Sequence, residues 1–145
     1  MQTFLPYSNF YDSLNCLDVK RLTKQRLEAF QILRLLCDNA YNSKAWVNHP
    51  AVKMWKGYEN YLAGYYNTSL VVFKERGYKN NLLKHTFAKD FQYKFDIDYT
   101  PKNAPWFIGN KDFHKSHQSN LLRKDFNWYN KFGWDVPTDL PYIWR

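Results

Sequence analysis

A stretch of about twenty residues with an apolar stripe at helical period constrains this chain more than any other feature. From Leu17 onward, Val19, Leu22, Ala29, Phe30, Leu33, Leu36 and Cys37 recur at that spacing, and Asp18 stands where a capping carboxylate would. The spacing predicts a helix ending near Asp38 and Asn39. Its opposite face carries Lys20, Arg21, Lys24, Gln25, Glu28 and Gln31. Such a helix needs partners to cover its apolar side, and the chain supplies two. One starts at Asn48, His49 and Pro50, where proline suits the first helical position and Asn48 can accept from an orphan amide. Val52, Trp55, Tyr58, Leu62, Tyr65, Ser69 and Val72 make its stripe, and Gly77 is the expected left-handed stop. Gly57 and Gly64 inside it cost about 1 kcal/mol each relative to alanine, which close helix packing or backbone approach to a ligand would explain. The other partner runs from Lys111 or Asp112 to about Lys124, with Phe113, Leu121 and Leu122 inward. Ser8 or Asn9 caps a short turn over residues 11–14.

The remainder is less regular. Residues 79–81 and 96–105 read as loops, and 91–95 alternate too weakly for a sheet. After Trp128, a tail punctuated by Pro137 and Pro141 reads as an extended strap. The expected fold is mainly α: a single compact domain over residues 1–145, with about three helices, long irregular loops and an extended aromatic C-terminal tail. No apolar run reaches the ~18 residues of a membrane span, and the start of the chain has no secretory pattern. A cytoplasmic location is therefore expected. Cys16 and Cys37 make neither a disulfide framework nor a metal cluster and read as core. The five glycines are too scattered to cradle phosphate.

Charge and aromaticity narrow the partner. Lysine and arginine outnumber aspartate and glutamate 21 to 13, for a net charge of +8, alongside 6 Trp, 12 Tyr and 11 Phe. Spread cationic charge suits a polyanion, and flat rings suit stacked bases or a packed interface. An AT-rich coding sequence would also raise lysine and asparagine, so composition leaves acidic membranes and acidic proteins open. Trp46, Trp106, Trp128, Tyr129 and Trp134 each read as core before platform.

Arg21, Gln25 and Glu28 project from one helix face. A lone carboxylate among Arg21, Lys24 and Arg26 is held ionised, suited to stabilising a cation or accepting a proton; an ordinary solvated face gives the same pattern. His49 sits at a helix start, where an imidazole can cap. His114 and His117, three apart, are half of a metal site, and a full site needs three or four ligands. No metal and no cofactor are expected, and contact with phosphate or a base is the better functional use of this pair.

Four segments, in order, resemble the phage and bacterial pyrimidine-dimer DNA glycosylase (endonuclease V) family. They are residues 21–28 with their glutamate; Asn48, His49 and Pro50 followed by residues 54–58; Arg76, Gly77 and Tyr78; and residues 128–133, Trp-Tyr-Asn-Lys-Phe-Gly. The resemblance implies a mainly helical enzyme of ultraviolet-damaged duplex DNA, without a cofactor, membrane or obligate protein partner, and monomeric by default. It also implies a DNA N-glycosylase with AP-lyase activity. The chain's own α-amine attacks the sugar C1′, a Schiff base forms, and β-elimination cuts the strand. The catalytic glutamate falls on Glu28. The amine falls on Met1, or on Gln2 or Thr3 if processing exposes them. Arg21, Lys24, Gln25, Arg26, His49, His114, His117, Arg123 and Lys124 are the candidate DNA contacts. Elementary acid–base chemistry favours a terminal amine: near pKa 7.8 it is about 15% unprotonated at pH 7, against about 0.04% for lysine. Two other classes stay open, a noncatalytic nucleic-acid-binding domain and a protein-binding adaptor, as does another modified pyrimidine as substrate.

Overall fold

The computed structural model describes every residue except 44, 81–85 and 92–94. Among the described residues it contains six α-helices and no named strand, only an isolated bridge between Asp38 and Phe95. Mainly helical is correct; about three helices is not. The long elements stand where periodicity predicts them, as α2 (Val19–Cys37), α4 (Glu59–Glu75) and α5 (Lys111–Lys124). Three short ones accompany them: α1 (Phe10–Asn15), α3 (Pro50–Lys53) and α6 (Phe126–Tyr129).

The extra count arises at Gly57. A single helix from Pro50 was expected, but Gly57 takes φ +88 and splits it into α3 and α4. Nothing stands within 4 Å of a Cβ built on Gly57, so its backbone conformation, and not close packing, calls for glycine. Gly64 is the packed one: its Cβ would meet the Phe10 ring at 3.6 Å, where α1 crosses α4.

Two caps also differ from expectation. Asp18 makes no side-chain cap bond; it pairs with Arg21 at 3.2 Å and accepts the Tyr129 hydroxyl. At α3 the cap is His49, whose Nδ1 accepts the Ala51 amide at 3.0 Å, and not Asn48. Asn9 caps α1 and Asn110 caps α5, accepting from Asp12 and Phe113 amides at 2.7 and 3.0 Å.

The main packing is α2 against α4, and α1 also packs on α4. Leu22, Ile32, Leu33, Leu62, Tyr65, Tyr66 and Val72 are fully buried between these elements and their neighbours. Val19, expected in the stripe, is 44% exposed. Both cysteines are buried free thiols, and burial pushes each up to about 12. Tyr129 is buried and Trp106, Trp128 and Trp134 pack on the core, but Trp46 stands 57% exposed with φ 70. The weakly alternating stretch 91–95 lies mostly outside the described residues. No helix among the described residues is long and apolar enough to cross a membrane.

Candidate active site

Residues 1–6 lie where a helix or strand would ordinarily fill the core, yet they have no regular structure, and residues 2–6 are buried. A buried backbone must find partners for its amides and carbonyls. Here side chains from three sides supply them. From α2, Gln25 accepts the Phe4 amide at 2.8 Å and donates to the Gln2 carbonyl at 2.9 Å. From α4, the Tyr65 hydroxyl donates to the Phe4 carbonyl at 2.9 Å, and between α3 and α4 the Trp55 indole donates to Thr3 Oγ1 at 3.1 Å. From α5, His117 Nδ1 accepts the Leu5 amide at 2.9 Å, and Gln118 donates to the Pro6 carbonyl at 2.8 Å.

These bonds fix the histidine tautomers. His114 Nε2 accepts from the Gly109 amide at 2.9 Å, so its proton sits on Nδ1 and goes to the Leu5 carbonyl, 2.7 Å away. His117 accepts at Nδ1, so its proton sits on Nε2, which has no partner among the described residues. Burial pushes His114 down and His117 down to about 3, so both are neutral. His117 is fully buried and His114 is 7% exposed, so the structure brings neither to the cavity or to the open surface. Their task is to hold the incoming chain.

The segment so held ends at a carboxylate. The Gln2 backbone nitrogen donates to Glu28 Oε2 at 3.1 Å, and the Gln25 amide donates to the same oxygen at 3.2 Å. Glu28 lies in a cavity of about 440 Å³ that Met1 and Gln2 also line. Lys20, Arg21, Lys24 and Lys124 stand around it, four cations to one carboxylate, with His49, Tyr142 and Trp144 completing the wall. Burial, with the terminal amine's charge second, lowers the His49 pKa against the pull of Glu28. Burial likewise pushes Tyr142 up to about 12, so it stays a neutral phenol.

Of the thirteen residues singled out in the sequence, Met1, Gln2, Glu28, Arg21, Lys24, Gln25, His49 and Lys124 meet at this cavity. Thr3 is buried just behind it on the Trp55 indole. Arg26 is not there. It is 7% exposed, packs its guanidinium 4.1 Å over the Phe73 ring and donates to Asn80. A helix turns about 100° per residue, so a one-position displacement from Gln25 points the side chain elsewhere. Arg123 is exposed but spent on the tail, donating to the Thr138 carbonyl at 2.6 Å. Lys20, Tyr142 and Trp144 were missed. Lys20 was legible, four residues before Lys24 on the same face; the two aromatic residues arrive from the far end of the chain and no local pattern marks them.

The mainly helical fold thus holds residues 1–6 beside one carboxylate, in a cavity lined by four cationic side chains. Residues 1–86 match the family model of pyrimidine dimer DNA glycosylase, and the chain belongs to that family. Neither the curated proteins nor the solved structures return a match. The matched residues contain Glu28 and the whole N-terminal segment, whereas α5 and the aromatic tail lie beyond them.

Proposed function

We propose that this protein is a DNA glycosylase with AP-lyase activity, which removes damaged pyrimidines from duplex DNA through an amine at its N-terminal segment. The observation that carries the reading is the 3.1 Å approach of the Gln2 nitrogen to Glu28 within a cation-ringed cavity. With Met1 in place, the amine is that of Met1, which lines the same cavity. With Met1 removed, the Gln2 nitrogen itself becomes the amine, already against the carboxylate.

The chemistry is nucleophilic catalysis with one acid–base group. The amine lone pair forms a bond to C1′ of the damaged nucleotide. The glycosidic bond breaks with its electron pair going to the base, which leaves carrying a proton. Loss of a proton from nitrogen and opening of the sugar ring at O4′ give a protonated imine. Glu28 stabilises that cation and accepts the C2′ proton. The electron pair so released makes the C2′–C3′ double bond and expels the 3′ phosphate oxygen, cutting the strand. Lys20, Arg21, Lys24 and Lys124 hold the flanking phosphates, and damaged steps cost least to open.

Borohydride tests this directly, because it reduces the imine to a stable link. The untagged protein is expected to form a covalent adduct with a duplex carrying an abasic site, and peptide mapping of that adduct to place the link on Met1 or Gln2. Glu28→Gln is expected to slow strand cleavage by about a hundredfold or more. Salt-sensitive DNA binding with no adduct would instead establish the noncatalytic reading, and an undiminished cleavage rate in Glu28→Gln would remove Glu28 from the chemistry.

A further inference from the structure

One side-chain amide stands between the chain end and Glu28. Gln25 is 1% exposed, and every hydrogen-bonding position of its amide is taken. Its oxygen accepts the Phe4 amide at 2.8 Å and the Tyr65 hydroxyl at 2.6 Å. Its nitrogen donates to the Gln2 carbonyl at 2.9 Å and to Glu28 Oε2 at 3.2 Å. That same carboxylate oxygen receives the Gln2 nitrogen at 3.1 Å. Turning the amide over would set its oxygen against the Gln2 carbonyl and the Glu28 carboxylate, and its nitrogen against a donating amide. The orientation of one planar group therefore decides whether the Gln2 nitrogen and Glu28 stay together.

Three of the four partners, Phe4, Gln2 and Glu28, are the groups that the amide has to hold. Tyr65 is independent of them. It comes from α4 and is fully buried, with Phe10 edge-on to its ring at 5.4 Å and Trp55 at 6.1 Å. A ring packed in this way cannot follow the chain end if that end shifts. Its hydroxyl has one proton and two oxygens in reach, Gln25 Oε1 at 2.6 Å and the Phe4 carbonyl at 2.9 Å. Burial first, and the charge of Glu28 second, push its pKa well above the ordinary phenol value, so it remains a donor. The repair chemistry leaves Tyr65 without a part, since a fully buried phenol touches neither sugar nor phosphate.

We propose that Tyr65 is a positioning residue of the repair reaction: its phenol locks the Gln25 amide from the α4 side, and Gln25 in turn keeps the Gln2 nitrogen, and the amine at or next to it, beside Glu28. This rests on the reading of the cavity as the repair site. The effect falls on the rate and not on affinity, because the phenol is out of reach of DNA. Drift of about 1 Å between reacting groups costs about a hundredfold in rate. Loosening one of several restraints on the amide costs less.

The test is the single-turnover rate of borohydride trapping on a duplex with an abasic site, at saturating protein and scaled to the folded fraction from urea titration. Tyr65→Phe keeps the ring and is expected to lower that rate about tenfold, with the Kd for the duplex within about threefold of wild type. In a Gln25→Leu background the phenol has no amide to lock, and the same substitution is expected to change the rate by less than about threefold. Phe10→Leu, which loosens the packing around the ring but leaves the hydroxyl, is the control for lost stability and is expected to trap within about threefold of wild type. An unchanged rate in Tyr65→Phe overturns the positioning role. So does an equal loss in both backgrounds, which would bypass Gln25, or an equal loss in Phe10→Leu, which would reduce the effect to general loosening. In each of these cases a wild type that traps leaves the repair reading standing. A wild type that forms no adduct overturns that reading and the role of Tyr65 with it.

Discussion

Helix α2 has two working sides, and they are held by different physics. Its apolar side chains Leu22, Ala29, Phe30, Ile32 and Leu33 are nearly or wholly removed from water, and α4 is its main packing partner. That interface depends on apolar area and tolerates any side chain that fills the space. Toward the N-terminal segment it presents Gln25 and Glu28, which grip individual backbone atoms of residues 2 and 4. Burying that much polar surface brings little net stability, since each bond replaces one made to water. It does fix where a particular nitrogen sits. Hydrophobic packing cannot do this, because it has no direction. The polar seam is thus the part of the core that specifies the position of residues 2–4, and the apolar seam is the part that supplies stability.

Exchanging the two contributions gives the largest expected effect. Gln25→Leu keeps bulk but strips partners from the Phe4 amide and the Gln2 carbonyl. It is expected to lower unfolding free energy in urea by about 2–5 kcal/mol and to reduce borohydride trapping of the remaining folded protein at least tenfold. Leu33→Ala is expected to lose a similar 2–5 kcal/mol from the cavity it leaves, with trapping per folded molecule within threefold of wild type. Equal losses of trapping in both variants would break the distinction.

Acid should weaken the seam before the apolar interface. His117 is driven to about 3 when folded, against about 6.5 when unfolded, so the unfolded chain binds a proton first. Its contribution is intact above pH 6.5, falls by about 1.4 kcal/mol for each pH unit below that, and levels off near pH 3. Urea titrations between pH 7 and 4 are expected to show this slope, and His117→Gln to flatten it, leaving the smaller part due to His114. A slope that survives His117→Gln undiminished would place the acid sensitivity elsewhere.

The smallest effect separates two arginines of one helix. Arg21 lines the cavity and Arg26 lies under Phe73 and Asn80. Removing a phosphate contact is expected to lower the slope of log affinity against log salt by about 0.9. Arg21→Met should do so and Arg26→Met should not. The reverse result would move the DNA face of α2 around the helix.

Much of this was legible in the chain. The apolar stripe located α2, and the inward positions Phe113, Leu121 and Leu122 located α5, because such spacing acts within one element. Glu28 and the lysines and arginine about it were legible for the same reason. Arg26 was misplaced because a resemblance in sequence does not carry the angular position of a side chain. The bonds of the two α5 histidines to Leu5 were not legible, because partners a hundred positions away leave no mark beside a residue. Neither close packing nor a ligand's approach accounts for Gly57, because a glycine's φ does not show in its letter.

By itself, then, the order of residues determined the long helices, the excess of positive charge and a carboxylate on the helix face opposite the apolar stripe. All three follow from interactions a few residues apart. Only the folded chain decided that the first residues run inward to that carboxylate, that two neutral imidazoles hold them there, and that Tyr142 and Trp144 return to close the same cavity. Those placements join residues 1–5 to residues 25–28, 114–117 and 142–144, and such contacts form only when distant segments bury one another's polar atoms.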